Sequence, residues 1–234
     1  MIAVSFALPA ESSDFIRRLQ NRTRRRGPAR ISSGSLHGID VVVLHTGVGA
    51  KASKERMAVF LSEHGPNLLI SAGFAGGLTN DLQPGDLLLA DNFSSATLLA
   101  SAQAALAQKA PHLGKLATTE TMADSLGERE ALARETGACA VDMETAIIAA
   151  ACSERDLPLL SLRVVTDTPE FPFPAPAHVL FDLEKQKTKL TALVSYLARN
   201  PAALGRLAAF GKRVAAARHR LSEALELLIK AGLG

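Results

Sequence analysis

Short apolar runs recur along the chain, and each is followed by a turn or by a more polar helical segment. The first run, residues 2–8, is apolar almost throughout, and residues 41–45 are mostly β-branched, which is typical of buried strands. Strands that alternate with helices indicate a sheet covered by helices. We predict strands at about 2–8, 41–45, 68–72, 87–91, 113–119, 138–142 and 158–166. The pattern therefore predicts a single α/β domain.

Glycine and proline mark the breaks between these runs. Residues 46–49 precede a helix that we expect to end near His64, because a Gly-Pro pair follows at 65–66. Residues 36–40 predict a turn between two strands. Residues 73–77 contain three glycines and predict a loop in which positive φ angles and close approach to a ligand are allowed.

Composition narrows the class of protein. The chain has 234 residues, 47% apolar and 4% aromatic, which suits one domain with an Ala/Leu/Val core. The net charge is only +3, and the basic excess is concentrated in residues 22–30 and the last thirty residues, so we expect no nucleic-acid partner. Residues 22–30 predict a solvated loop, with a weaker alternative as a phosphate-binding segment.

Cysteine and the chain's N-terminal region give further expectations. Cys139 and Cys152 form no C-x-x-C pair, and the histidines are scattered, so neither a disulfide framework nor a metal site is predicted. The first residues lack the basic start of a signal peptide, and no apolar run reaches membrane-spanning length. We therefore expect a cytoplasmic protein.

The stretch 139–152 carries the first candidate chemistry. A short apolar run leads to Asp142 and Glu144 and then to an Ala/Ile-rich helix. One interpretation is structural, because Asp142 suits the N-cap and Glu144 the first turn of that helix. The other is that Glu144, at a strand's carboxyl end, faces a ligand crevice and accepts two vicinal hydroxyls. Both interpretations remain open from this stretch alone.

Two more carboxylates follow predicted strands. Glu11 comes after the first strand, where it is either a first-turn helix acid or a site residue. Asp167 follows a strand and precedes the Pro-rich loop 168–176. The alternative interpretation of Asp167 is a solvated turn residue before Pro169.

Four segments together resemble the purine nucleoside phosphorylase and methylthioadenosine/S-adenosylhomocysteine nucleosidase superfamily. They are SAGFAGGL at 71–78, LQPGDLLLAD at 82–91, VDMETA at 141–146 and RVVTD at 163–167. The resemblance covers residues 1–198. It implies a twisted mixed β-sheet surrounded by helices, and we predict a C-terminal helical extension over residues 199–234.

The resemblance also implies roles. Asp167 protonates or hydrogen-bonds the purine N7 as N9 leaves, Glu144 binds the ribose hydroxyls with Met143 against the sugar, and Glu11 orients and deprotonates water. An ordinary Asp, with a pKa of about 3.9, is protonated in only about one molecule in a thousand near pH 7, so burial must raise that pKa. We expect Phe171 and Phe173 to supply this burial as a lid.

Further substrate contacts are expected from two loops. Gly73 and Phe74 belong to the glycine segment, and Met122 and Ala123 belong to a base-side loop, 118–124, that is shorter than in typical nucleosidases. Phosphorylases carry an arginine and a serine in the glycine segment to hold phosphate, where this chain has Ser71 and Phe74. The departure favours water, and leaves phosphate only as an alternative co-substrate.

The last segment extends beyond the resemblance. From 201 to 233, apolar residues recur at helical spacing beside basic residues, which predicts an amphipathic basic helix pair. It would dock onto the core or a sister subunit in a homodimer, or else contact a membrane surface weakly. This tail, the short base-side loop and the Phe/Pro lid also resemble the hopanoid-associated phosphorylases.

We therefore predict an enzyme, a purine (adenine) nucleosidase that cleaves a 5′-substituted adenosine such as methylthioadenosine or S-adenosylhomocysteine, without a cofactor. The first alternative is a phosphate-dependent nucleoside phosphorylase, a glycosyltransferase acting on adenosylhopane in hopanoid biosynthesis. The second is a non-catalytic nucleoside-binding protein. Glu11, Glu144 and Asp167 together speak against the second, because a binder needs no paired acid and base.

Overall fold

The fold was analysed in a computed structural model of the chain. It describes residues 1–25, 27, 29–123, 125–174, 181–182, 187–188, 199–200 and 202–233. Three predicted segments therefore lie partly outside the described residues: the loop 168–176, the base-side loop 118–124 and the basic segment 22–30. Pro201 and most of residues 175–198 also lie outside them.

Helices and strands alternate through most of the described chain. The α-helices are α1 (Pro9–Arg18), α2 (Ala50–Glu63), α3 (Ala96–Ala105), α4 (Leu126–Thr136), α5 (Thr145–Ser153) and α6 (Ala202–Lys230). The strands are β1 (Ile2–Phe6), β2 (Gln20–Arg25), β3 (Arg30–Leu36), β4 (Ile39–His45), β5 (Leu68–Gly77), β6 (Leu87–Ala90), β7 (His112–Gly114), β8 (Leu116–Thr118), β9 (Ala140–Asp142), β10 (Leu159–Asp167), β11 (Phe181–Asp182) and β12 (Lys187–Thr188).

Ten of these strands form one mixed sheet. Its main order is β2-β3-β4-β1-β5-β10-β6-β7, with β9 pairing β5 and β8. Strands β4, β1, β5 and β10 are mutually parallel. Strand β3 pairs antiparallel with β2 and β4, and β6 pairs antiparallel with β10 but parallel with β7. The predicted α/β class with a central mixed sheet is confirmed.

Helices cover both faces of the sheet. On one face, α1, α3 and α6 pack their apolar side chains against β1, β5 and β10 in the largest hydrophobic cluster. On the other face, α2 and α5 close a second cluster around Met57, Phe60 and Ile148. The parallel centre of the sheet is therefore buried on both sides, as its continuous apolar runs predict.

The glycine segment 73–77 is part of a strand, so the predicted loop is wrong. Strand β5 continues to Gly77, and its second half pairs with β10 and β9. None of its three glycines has a positive φ. They are required for close packing instead, since a Cβ at Gly73 would lie 3.0 Å from a carboxylate oxygen of Glu11.

The described part of the basic segment 22–30 is mostly strand, so the predicted loop is wrong for residues 22–25 and 30. Its first part belongs to β2, an edge strand whose side chains are all exposed, and Arg30 begins β3. Pairing with β3 satisfies the backbone of β2, and charged side chains on an edge strand oppose unwanted pairing with other chains. The predicted turn at 36–40 is confirmed, with positive φ at His37 and Gly38.

The C-terminal segment contains one helix, not the predicted pair. Helix α6 runs unbroken for 29 residues, because Gly205 and Gly211 each cost only about 1 kcal/mol in a helix and no proline interrupts it. Its second half is buried against the core through Leu221, Leu225 and other apolar residues. The division of the chain at residue 198 stays a prediction. None of the described helices is long and apolar enough to cross a membrane.

The docking of α6 predicts a large stability effect. Leu225→Ala should lower the free energy of unfolding by about 2–5 kcal/mol, because Leu225 is fully buried and its truncation leaves a cavity. Urea unfolding followed by circular dichroism measures this. Leu204→Ala, on the same helix but 62% exposed, is the control and should change it by less than about 0.5 kcal/mol. Equal effects would contradict the packing of α6.

Candidate active site

A cleft opens at the carboxyl ends of the central parallel strands. It is lined by residues of β1, the start of α1, the middle of β5, the start of α5 and β10. Glu11, Gly73, Phe74 and Glu144 all lie here, so the structure brings together four of the predicted site residues. Such a position is where open α/β sheets bind ligands.

Glu11 is held rigidly by two backbone donors. The N–H of Leu8 donates to its Oε2 at 2.7 Å and the N–H of Phe74 donates to its Oε1 at 3.0 Å. The first bond satisfies a free backbone N–H at the start of α1, so the structural interpretation of Glu11 as a first-turn acid is correct, and the second places the carboxyl in the cleft. Burial raises the pKa of Glu11 above its usual value, although both hydrogen bonds oppose this.

Glu144 faces the same cleft from the start of α5. It occupies the N-cap position, but its side chain makes no capping hydrogen bond. Instead its Oε1 accepts the N–H of Gly49 at 2.8 Å. Burial, reinforced by the nearby charge of Asp142, raises the pKa of Glu144 to about 8. The capping interpretation is therefore wrong for Glu144, and its carboxyl remains available to a ligand.

Asp142 and Arg163 form a closed network beneath this cleft. The Nε of Arg163 donates to Asp142 at 3.0 Å, and its two terminal nitrogens donate to the carbonyl and hydroxyl of Ser71 at 2.7 and 2.8 Å. The same guanidinium also bonds Thr145, and Asp142 accepts the N–H of Thr145 at 3.3 Å, so Asp142 does cap α5. Sequence reasoning quoted Arg163 within a motif but gave it no role.

Asp167 lies at the end of β10, opposite Gly76 of β5. Its Oδ2 is ion-paired with Arg129 of α4, and its Oδ1 accepts the hydroxyl of Thr166 at 2.9 Å. Only 6% of Asp167 is exposed. Asp167 does not line the cleft itself. Its register partner Gly76 lies three residues beyond Gly73 in β5, which is roughly 10 Å further along the strand.

The predicted aromatic lid does not supply the burial of Asp167. Phe173 packs its ring edge against Phe210 of α6, and Arg213 of α6 lies over the ring of Phe171. The described lid residues therefore pack on the C-terminal helix. Asp167 is enclosed instead by Arg129 and by the backbone of Gly76, so the expectation that the lid buries it is corrected.

The remaining predicted contacts lie outside the cleft lining. Ala123 contributes its carbonyl, which accepts the Nε of Arg129 at 3.0 Å, and thereby joins the neighbourhood of Asp167. Met122 is 39% exposed and Met143 is partly buried beside Glu144. Sequence reasoning missed Arg129, because a lone arginine in a polar helix resembles an ordinary surface residue; Arg129 is nevertheless only 4% exposed.

The cleft is small in this conformation. Its volume is about 10 Å³ for the centre of a water-sized sphere, which is room for about one water molecule. A ligand larger than water therefore enters only if side chains around the cleft move. Among the described residues there is no cluster of His, Cys, Asp and Glu that could hold a metal ion. The expectation of a reaction without cofactor stays a prediction.

The raised pKa of Glu144 predicts a pH dependence of stability. Because the folded state holds this proton up to about pH 8 and the unfolded state loses it near 4.5, folded Glu144 binds more protons between these values. The free energy of unfolding should therefore fall as the pH rises through this window. Glu144→Gln should flatten that slope in urea unfolding, leaving the part due to Glu11.

The control for this measurement is Glu154→Gln, at the exposed C-terminal end of α5. It should leave the slope unchanged. A Glu144→Gln protein with the wild-type slope would mean that Glu144 is not buried as a protonated acid.

Comparisons with known proteins agree on the family. A 5'-methylthioadenosine/S-adenosylhomocysteine nucleosidase of Chromohalobacter salexigens is 28% identical over 197 residues, covering 71% of this chain and 83% of the relative. One of Aeromonas salmonicida is 25% identical over 174 residues, covering 62% and 76%.

Solved structures extend the likeness through α6. The S. pneumoniae nucleosidase of the same name has a TM-score of 0.75 at 21% identity, and 98% of each chain is covered. Futalosine hydrolase of Helicobacter pylori has a TM-score of 0.74 at 18% identity, covering 98% of this chain and 97% of that one. The family model described as Phosphorylase superfamily matches residues 1–103 and 93–199. The chain belongs to the phosphorylase superfamily, in its nucleoside phosphorylase and nucleosidase group.

Proposed function

We propose that this protein is an adenine nucleosidase that hydrolyses the N-glycosidic bond of a 5′-substituted adenosine, such as methylthioadenosine or S-adenosylhomocysteine. The observation that carries the proposal is the placement of three buried carboxyl groups, Glu11, Glu144 and Asp167, near the ends of three strands that all pair with β5. The names of the two curated relatives support the same activity and substrates.

Each carboxyl group has a distinct task in this reaction. Asp167, when protonated, gives its proton to N7 of the purine while the bond between C1′ and N9 breaks and its electron pair stays with the base. Glu11 takes a proton from water, whose oxygen forms the new bond to C1′. Adenine and the free sugar result. Glu144 accepts hydrogen bonds from the ribose hydroxyls, because its carboxyl faces the cleft and makes only one backbone bond among the described residues.

The raised pKa of Glu11 suits a general base. Burial raises the pKa of Glu11, and a carboxylate with a raised pKa binds a proton from water more readily. Its two backbone hydrogen bonds fix the carboxyl beside the cleft, which has room for about one water molecule. The position of Glu11 therefore supports attack by water.

Phosphorolysis is disfavoured by the state of Arg163. Among the described residues it is the one cationic side chain that lines the cleft, and its donors are already used by Asp142, Ser71 and Thr145. A phosphate dianion would have to break these bonds, at about 1.5–3 kcal/mol for each charged hydrogen bond. The basic edge strand β2 lies three strands away from β1 and offers no replacement.

The other expectations are less well supported. The relatives and solved structures named above give no support to the adenosylhopane alternative. The homodimer, the weak membrane-surface contact of α6 and the cytoplasmic location stay proposals. A non-catalytic nucleoside-binding protein would have no reason to bury three carboxyl groups, because each costs free energy unless it is paired or neutralised.

The first prediction tests the nucleophile. In phosphate-free buffer the protein should release adenine from methylthioadenosine, and added phosphate should not increase the rate. Glu11→Gln should lower kcat by about 10²-fold or more, because the base that activates water is lost. Chromatography of the base and sugar products measures this. Cleavage that requires phosphate and yields a sugar 1-phosphate would overturn the hydrolase proposal.

A second prediction concerns the acid. Asp167→Asn should keep the fold and lower kcat about 10²-fold or more, because an amide has no proton to give to N7. Steady-state kinetics with methylthioadenosine measures the loss. Asp156→Asn, in an exposed turn with a positive φ that Asn tolerates, is the matched control and should be fully active. Near wild-type turnover in Asp167→Asn would remove Asp167 from its role.

A further inference from the structure

Arg129 connects three parts of the chain through one buried guanidinium. Its Nε donates to the carbonyl of Ala123 at 3.0 Å, one terminal nitrogen donates to the carbonyl of Gly77 at 2.9 Å, and the other is paired with Asp167. Its side chain is 5% exposed. The base-side loop, the end of β5 and the end of β10 are therefore tied together by a single residue of α4.

This pairing opposes the chemistry of Asp167. A guanidinium on Oδ2 and a hydroxyl on Oδ1 both stabilise a carboxylate, which cannot donate a proton. If Asp167 is the acid of the proposed function, on which this inference rests, the arrangement described here is inactive. Arg129 must leave Oδ2 before Asp167 can take up the proton that it gives to the purine.

The surroundings indicate what displaces Arg129. A Cβ at Gly76 would lie 3.2 Å from Oδ2 of Asp167 and 3.6 Å from a terminal nitrogen of Arg129, so the backbone of β5 closes one side of the pair. A purine that reaches Oδ2 therefore competes with the guanidinium. The neighbouring cleft has room for about one water molecule, so a nucleoside can bind only if side chains at the site move.

We propose that Arg129 is a positioning residue that acts as a latch on Asp167. In the free protein it holds Asp167 as a carboxylate and holds the base-side loop through Ala123. Entry of the purine releases the guanidinium, Asp167 takes up a proton from solvent, and that proton passes to N7 as the C1′–N9 bond breaks. The latch closes again when adenine leaves.

The test compares Arg129→Met with the wild type in adenine binding by calorimetry and in steady-state kinetics with methylthioadenosine. Without the latch, adenine has no ion pair to displace, so its Kd should fall by about tenfold or more, the scale of one charged hydrogen bond. The KM should fall with it, whereas kcat should change much less. Arg129→Lys keeps the cation but cannot bond Ala123, Gly77 and Asp167 together, so its Kd and KM should lie between those of the wild type and Arg129→Met.

Two controls separate a latch from a purely structural arginine. Arg134→Met removes an exposed arginine from the same helix and should change neither Kd nor KM. In an Asp167→Asn background, adding Arg129→Met should have no further effect on the Kd of adenine, because the pair is already broken.

The outcomes are distinct. If Arg129→Met is folded by thermal unfolding yet binds adenine as weakly as the wild type or more weakly, the latch is wrong. If Arg129→Met does not fold, the adenine affinities of Arg129→Lys and Asp167→Asn serve as the test. Affinities equal to that of the wild type in both variants would overturn the proposal. Failure of the wild type to release adenine from any nucleoside would instead refute the proposed function.

Discussion

The site depends on how closely the backbone of β5 allows carboxyl groups to approach it. A Cβ at Gly73 would lie 3.0 Å from Glu11, and one at Gly76 would lie 3.2 Å from Asp167. A side chain at either position would require the facing carboxyl group to shift by a few tenths of an ångström. Because Gly73 and Gly76 stand three residues apart on one strand, β5 also fixes the separation of the two groups. A regular strand, more rigid than a loop, thus sets the spacing of the proposed base and acid.

The buried carboxyl groups are stabilised in two different ways. Asp142 and Asp167 are each paired with a buried arginine, Arg163 and Arg129. Glu11 and Glu144 are paired with no arginine in the part of the chain that the structure describes and accept backbone N–H groups instead, and burial raises the pKa of both. The paired groups hold elements together, whereas the unpaired groups can exchange protons with a ligand. Asp167 is paired with Arg129 in this conformation, although its proposed task is to give a proton to the ligand. Movement of Arg129 away from Asp167 would resolve this conflict.

Sequence patterns predicted the α/β class, the positions of the central strands along the chain and three carboxyl groups at strand ends, because apolar runs and strand ends are local properties. These predictions failed where contacts between residues distant in the chain determine the local structure. The glycine segment 73–77 looked like a loop, but pairing with β10 and β9 makes it a strand. Residues 22–25 were predicted as part of a loop, but pairing with β3 makes them an edge strand. Arg129 could not be found at all, since nothing in its helix indicates a partner 38 residues away.

The C-terminal helix is coupled to the proposed base although the family model ends at residue 199. Helix α1, which carries Glu11 in its first turn, packs against α6 in the largest hydrophobic cluster, and ion pairs join Asp14 to Arg218 and Arg18 to Glu226. Because the Phe74 N–H of β5 can reach Glu11 only while α1 keeps its orientation, α6 supports the geometry of the cleft from behind. Its basic residues therefore have a structural use on this face, and only the exposed first half of α6 remains for a partner or a surface.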